Sequence, residues 1–300
     1  MDQLEEMAVF TAVAEQGGFA AASRQLNLSA ATVTRAVAAL EQAIGAELFV
    51  RTTRFVRLTE VGQHYLDDCR RILRQVEEAE AQAAGAHLVP QGQLVLAAPT
   101  LFGQQLVVPV VVDFLAQYPS LAVRLLLVDR QVQLGEEGID AAFRIGELPD
   151  SSLVAMPLGY VRRVVCASPG YLASRGYPSH PSELGAHHLV VSVADTRHDT
   201  WHFVDAGRTL DLTIQPRLTV STNAAAIAAA EAGAGFTRVM SYQVAEALAQ
   251  GRLERVLQPF EAKPLPVWLA NLEGRRAAAK LRVFLTFARD RLHGHAALLG

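Results

Sequence analysis

Apolar residues in the first ninety positions recur at intervals of three and four, the period of helices with one buried face. Leu4, Met7, Phe10 and Ala14 form one such stripe, and Gly17-Gly18 closes it. Phe19 to Leu26 predicts a short second helix whose Ala20, Ala21 and Ala22 permit close packing. Asn27-Leu28-Ser29 reads as a turn, because Asn tolerates the left-handed backbone and Ser is a good N-cap. A third helix is predicted from Ala30 to about Ile44, with Val33, Val37, Leu40 and Ile44 inward and Gly45 as its stop. Leu48-Phe49-Val50 and Phe55-Val56 then alternate around Arg51-Thr52-Thr53-Arg54, the pattern of a two-stranded hairpin. Thr59 caps a long helix expected from about Val61 to Ala86.

Beyond Pro90 the pattern changes. Leu94–Leu96, Leu121–Val128, Ala141–Ile145, Leu189–Val193, Leu218–Val220 and Val267–Leu269 are strand-like runs. Between them Phe102–Gln117, Asn223–Ala232, Tyr242–Gln250 and Arg276–His293 carry helical spacing. Alternating β and α elements predict an α/β unit with a mostly parallel sheet, joined to the helical one through His87–Gly92. A length of 300 residues agrees with two folded units, and a hydrophobic fraction of 51% with 19% charged residues excludes a disordered chain. Asp2, Glu5 and Glu6 stand where an export signal would want positive charge. The longest apolar run, Leu106–Val112, is short and holds Pro109, so no bilayer-spanning segment and a cytoplasmic location are expected.

A net charge of −3 means that any nucleic-acid contact must come from a local patch. Residues 24–57 contain five arginines (24, 35, 51, 54 and 57) against Glu41 and Glu47, a balance of +3. Residues 1–90 as a whole hold eight arginines against twelve acids. Positive charge is thus concentrated on the third helix and the hairpin. Two helices joined by a tight turn make a helix-turn-helix, whose second helix enters a DNA major groove. Its predicted outward half carries Ala30, Ala31, Thr32, Thr34 and Arg35, with no acid before Glu41. Small side chains can meet thymine methyls, threonine hydroxyls can bond bases or phosphates, and arginine can fork onto guanine. The competing reading is a packed helical domain with solvated surface arginines.

Leu66, Cys69, Leu73 and Val76 form a seam on the long helix, suited to dimerisation or to packing on its own domain. In the α/β unit, ligands are expected beyond the carboxyl ends of strands, near helix starts. Thr100 with the backbone of Leu101 and Phe102, and Thr222 with Asn223, offer two such ends for an anionic or polar effector, or serve as helix caps alone. An enzyme is the rival class. His187, His188, His198 and His202 cluster in sequence, yet no His-Glu-x-x-His pattern, Gly-x-Ser-x-Gly elbow or phosphate loop is present. Solvated loop histidines account for the cluster, and no metal, cofactor or catalytic residue is assigned. The two cysteines, Cys69 and Cys166, have no metal or redox spacing. A third class is a metabolite-binding module whose front helices only dimerise.

Phe19-Ala20-Ala21-Ala22-Ser23, Leu26-Asn27-Leu28-Ser29, Val33-Thr34-Arg35 and Ala39-Leu40-Glu41 resemble the second and third helices of LysR-type transcriptional regulators. Leu48-Phe49, Arg51-Thr52-Thr53-Arg54 and Leu58-Thr59-Glu60-Val61-Gly62 are similar to the family's wing and linker-helix start. A weaker likeness continues through Ala98-Pro99-Thr100, Gly138-Ile139-Asp140 and Gly233-Ala234-Gly235. The resemblance implies an N-terminal all-α winged helix-turn-helix domain (1–60), a linker dimerisation helix and hinge (61–90), and a C-terminal α/β effector domain (91–300). That domain would have two periplasmic-binding-protein-like lobes, about 91–161 with 268–300 and about 162–267. Double-stranded promoter DNA, a small-molecule effector between the lobes, a homodimer and a homotetramer are the implied partners. Ser29, Ala30, Thr32, Thr34, Arg35, Arg51, Thr52 and Arg54 become the candidate DNA contacts. Asp129, Arg144 and Trp201 join Thr100, Leu101, Phe102, Thr222 and Asn223 as candidate effector contacts. Where the family often has Gln then Pro after the serine, Ala30 and Ala31 stand here, and an amide-to-base contact is missing.

Overall fold

The computed structural model describes residues 1–51, 56–83, 90–148, 153–193, 200–272, 274 and 277–300. Two compact units are present: Met1–Val89 with the short stretch Gln133–Gly138, and Pro90–Val132 with Ile139–Gly300.

In the first unit, α1 (Gln3–Glu15) opens with a reciprocal cap in which Asp2 accepts from the Glu5 amide and Glu5 accepts from the Asp2 amide. Helix α2 (Phe19–Leu26) ends at Asn27, which holds the left-handed conformation at φ 53°. Helix α3 (Ala30–Ile44) starts on Ser29 and ends at Gly45, also left-handed. The buried sector of α1 is Met7, Val9, Phe10, Ala12 and Val13, wider than the expected stripe, because α1 packs on both α3 and the long helix behind it. Leu4, expected inward, is exposed. Aromatic rings fill the centre: Phe10 lies 5.2 Å from Phe49 and 5.7 Å from Tyr65, centroid to centroid.

Strands β1 (Phe49–Arg51) and β2 (Val56–Leu58) pair antiparallel, and α4 (Glu60–Ala83) follows. The Thr59 hydroxyl accepts from the Gly62 amide at 2.8 Å and donates to the Glu47 carbonyl at 2.8 Å. A side chain at Gly62 would meet the Leu48 carbonyl at 2.0 Å, so glycine is what lets α4 start this close to the hairpin. Leu66 and Cys69 belong to the core of their own unit, with Leu73 packed against it. The first half of the expected seam is therefore consumed within one chain.

The second unit contains two five-stranded sheets. The first has the order β4-β3-β5-β14-β6, from β3 (Gly92–Ala98), β4 (Leu121–Leu127), β5 (Ala141–Ile145), β6 (Val154–Val161) and β14 (Leu265–Asn271). The second has the order β11-β8-β12-β7-β13, from β7 (Arg163–Ala167), β8 (Leu189–Ser192), β11 (Leu218–Val220), β12 (Phe236–Met240) and β13 (Glu254–Val256). In each sheet two pairings are parallel and two antiparallel, which corrects the expectation of a mostly parallel sheet. Antiparallel pairs arise because the chain passes directly from β6 to β7 and returns along β14, which pairs with β5 and β6. A separate hairpin, β9 (Thr200–Asp205) and β10 (Arg208–Thr213), covers the second sheet's core with Trp201 and Phe203.

Helical residues α5 (Thr100–Phe102), a π-turn (Gly103–Val107) and α6 (Val108–Gln117) run on as one apolar stretch. By length and composition this stretch could cross a membrane. Its Phe102, Leu106, Val107, Val110 and Phe114 instead fill the first sheet's core together with α10 (Ala279–Leu292). Helices α7 (Pro169–Arg175), α8 (Asn223–Glu231) and α9 (Ser241–Ala249) belong to the second sheet's half. Gly235 sits where a side chain would strike the His188 carbonyl at 2.1 Å, with φ 144°.

Candidate functional site

On the first unit, the N-terminal half of α3 presents a continuous exposed surface. Ser29, Ala30, Ala31, Thr34 and Arg35 are exposed and Thr32 is half-buried, while Val33, Ala36, Val37 and Leu40 face the core. The Ser29 hydroxyl accepts from the Thr32 amide at 3.1 Å and lies 2.8 Å from the Thr32 hydroxyl. Thr34 donates its hydroxyl proton back to the Ala30 carbonyl at 2.9 Å, so it offers outward its methyl group and oxygen lone pairs. Arg35 leans its Nε on the Ala31 carbonyl at 3.4 Å. Arg51 ends β1, but its side chain lies outside the described residues, as do Thr52 and Arg54.

Glu41 has a role that charge counting missed. Its Oε1 accepts from the amides of Leu48 (2.9 Å) and Phe49 (3.2 Å), so it ties the hairpin to α3. The acid that closes the favourable face of α3 is thus a bracket for the wing. Its position seven residues before Leu48 is the only signal sequence carries, and that spacing has no periodic meaning.

The second unit has a cavity of about 120 Å³ between its two sheets. Pro99, Asp129 and Ile145 line it from the first sheet's side; Arg163, Asn223, Arg238 and Met240 line it from the second's. Asp129 Oδ1 accepts from the Thr100 amide at 2.9 Å, so the helix start expected to hold an anion already carries the chain's own carboxylate. Arg238 donates through Nη2 to the His202 carbonyl at 3.0 Å, with its guanidinium carbon 5.7 Å from the Phe203 ring centroid. Gln243 accepts from the Met240 amide and donates to the Tyr242 hydroxyl, fixing the start of α9 beside the cavity. Burial pushes the Tyr242 phenol's pKa well above its ordinary value, with the Asp129 charge adding to the effect.

Of the expected effector residues, Asp129 and Asn223 line this cavity. Phe102 does not: it is fully buried, 5.4 Å from the Tyr242 ring and 5.8 Å from Phe143. Leu101 packs against the same core. Trp201 is 4% exposed inside the second sheet's core, where its strand alternation points it away from solvent. Arg144 is turned to the Val132 carbonyl at 2.7 Å, and burial lowers its pKa. Thr222 caps α8 by accepting from the Ala225 amide at 3.2 Å and is absent from the cavity wall. Arg163 and Arg238 were missed because nothing local relates one to the other; β12 pairs them only in the folded sheet.

Among the described residues no group of three or more metal-ligating side chains converges. His202 lies on a strand against Asp211, at 2.6 Å, and His198 is outside the described residues. Burial pushes the Cys69 thiol up to about 11 and the Cys166 thiol up to about 12, which keeps both protonated and inert near neutrality.

A winged helix-turn-helix and long helix followed by two α/β lobes around a small polar cleft define a ligand-responsive DNA-binding regulator. Residues 4–63 match the model for the bacterial regulatory helix-turn-helix protein, lysR family, and residues 87–293 match that for the LysR substrate binding domain. The chain belongs to the LysR family of transcriptional regulators. It is 33% identical over 294 residues to an HTH-type transcriptional regulator of Xanthomonas campestris pv. campestris, covering 97% of this chain and 86% of that one. It is 30% identical over 290 residues to the HTH-type transcriptional activator AaeR of Escherichia coli, covering 97% and 94%. The structure of CrgA, a LysR-type regulator from Neisseria meningitidis, matches with a TM-score of 0.62 at 32% identity, covering 97% of this chain and 99% of that one. Full-length AphB, a virulence activator of Vibrio cholerae, matches with a TM-score of 0.64 at 25% identity, covering 97% and 100%. The protein is therefore a transcriptional regulator with a DNA-binding helix-turn-helix and a domain through which a small-molecule effector modulates it.

Proposed function

We propose that α3 enters the major groove of a promoter site and reads it through Ser29, Ala30, Thr32, Thr34 and Arg35, while Arg51, Thr52 and Arg54 of the wing hold the phosphate backbone. The observation that carries this reading is the exposed, acid-free N-terminal half of α3 above a tightly packed three-helix core. The working division is DNA-binding residues 1–60, linker 61–90, and effector domain 91–300 with its two lobes meeting at the cavity. The effector binds in that cavity; the chain acts in the cytoplasm, as a homodimer through α4 and a homotetramer of two dimers, without catalysing a reaction. Neutralised phosphates release counterions, so affinity for DNA from its own upstream region is expected to fall steeply with salt in a gel-shift titration. Arg35→Ala is expected to cost about 1–3 kcal/mol and to relax base preference. Binding that ignores salt, or an Arg35→Ala variant with unaltered base preference, would overturn the reading.

A further inference from the structure

The cavity's two walls carry opposite charge. Asp129 stands on the first sheet's side, with one carboxylate oxygen held by the Thr100 amide and further acceptor capacity on the other. Arg163 and Arg238 stand on the second sheet's side. Met240 is paired with Arg163, and Arg238 with Val165, so the two arginines are diagonal neighbours on one face of adjacent antiparallel strands. Arg238 is held in place by the His202 carbonyl and the Phe203 ring. Between these ends the lining is apolar, from Pro99, Ile145 and Met240. A volume of about 120 Å³ is small: an apolar protein cavity of about 150 Å³ is known to take benzene.

Given that this cleft is the effector site, we infer that its ligand is a small dipolar carboxylate: one carboxylate for the arginine pair, one hydroxyl or ammonium donor for Asp129, and a carbon chain of about three to five atoms between them. A plain fatty acid of the same size leaves Asp129 without a donor and sets its own apolar end against a fixed carboxylate. A diol leaves two guanidinium groups without an anion. A dipolar ligand satisfies both walls at once and binds best when the lobes are drawn together, so the same contacts that select it give it differential affinity for a closed form.

The test is thermal unfolding of the full-length protein with a matched panel: 3-hydroxybutyrate and β-alanine (both groups), butyrate (carboxylate only) and butane-1,3-diol (donors only), with their three- to five-carbon counterparts. A bifunctional probe is expected to raise Tm by about 5 °C at a hundredfold excess over Kd. Butyrate and the diol should shift it little. Asp129→Asn keeps an acceptor for the Thr100 amide but removes the charge, and should cut β-alanine affinity at least tenfold. Arg238→Gln should abolish the response to every carboxylate; Arg163→Gln serves the same purpose should Arg238→Gln fail to fold. Equal shifts from butyrate or the diol, a response that survives both arginine variants, or a panel without any response would overturn the assignment. Salt-dependent operator binding is measured on the same samples, so loss of the ligand proposal and loss of the DNA-binding proposal are read separately.

Discussion

Two helices in this chain begin with the same device and lead to different surfaces. Ser29 starts α3 and Thr222 starts α8, each by accepting the amide of the third residue beyond it, at 3.1 and 3.2 Å. Beyond Ser29 the helix shows a bare face of small residues and Arg35; beyond Thr222, only Asn223 reaches the cavity. A hydroxyl cap therefore identifies a helix start, and the surroundings decide whether that start is a site. The contrast extends to the units that carry them. The α3 surface is assembled from consecutive residues over a core made by its immediate neighbours in sequence. The cleft is assembled from strands and loops scattered from Pro99 to Gln243.

The largest expected effect comes from deleting a central ring in each unit. Phe10 and Phe102 are both fully buried, in separate cores, and Phe→Ala at such sites costs about 3–5 kcal/mol. Phe10→Ala is expected to abolish operator binding while ligand-induced stabilisation persists; Phe102→Ala is expected to remove the ligand response first. Calorimetry of each variant checks this, and a single transition lowered equally by both would break the contrast between the units.

Alkaline stability comes next. Burial raises the Cys69 pKa from 9.0 to about 11 and the Tyr65 pKa from 10.0 to about 12. Below pH 9 the thiol is protonated in both folded and unfolded chains, so its contribution is constant. Above that, the unfolded chain releases the proton while the folded one retains it, and stability falls until pH reaches about 11. Two pH units at about 1.4 kcal/mol each give a loss of about 2–3 kcal/mol in the first unit. Cys166, raised to about 12, extends the same trend in the second unit. Urea midpoints at pH 8.5 and 10.5 measure the drop, and Cys69→Ala should shrink it; a flat profile in the wild type would contradict the burial of these thiols.

The smallest effect sharpens the opening contrast. Ser29→Ala and Thr222→Ala should each cost about 1 kcal/mol of stability through the lost cap. Only Ser29→Ala should also weaken operator binding, whereas Thr222→Ala should leave ligand affinity unchanged. Equal functional effects at the two positions would mean that Thr222 faces the ligand after all.

Much of the helix-turn-helix was legible because each signal acts over a few residues: the left-handed Asn27, the Ser29 cap, the Gly45 stop and the inward Val33, Val37 and Leu40 lie within one short stretch. Even there, Glu41 was read as a solvent-facing charge, since its partners are amides made available only once the hairpin folds back. In the α/β unit, helix starts at Thr100 and Thr222 were found, but their occupants were not. Asp129 reaches the first through a parallel strand pair, and Trp201 and Phe102 proved to be core.

Periodicity, caps and stops along the chain were enough to establish a helical front unit, an α/β rear unit and the face that α3 turns outward. Those properties depend on backbone preferences and on the burial of residues three or four apart, which are encoded locally. The pairing of Arg163 with Arg238 opposite Asp129, the mixed sheets and the bracket at Glu41 depend on which distant strands lie side by side. Such neighbours are chosen by long-range packing of whole sheets and helices, and only the folded molecule expresses that choice.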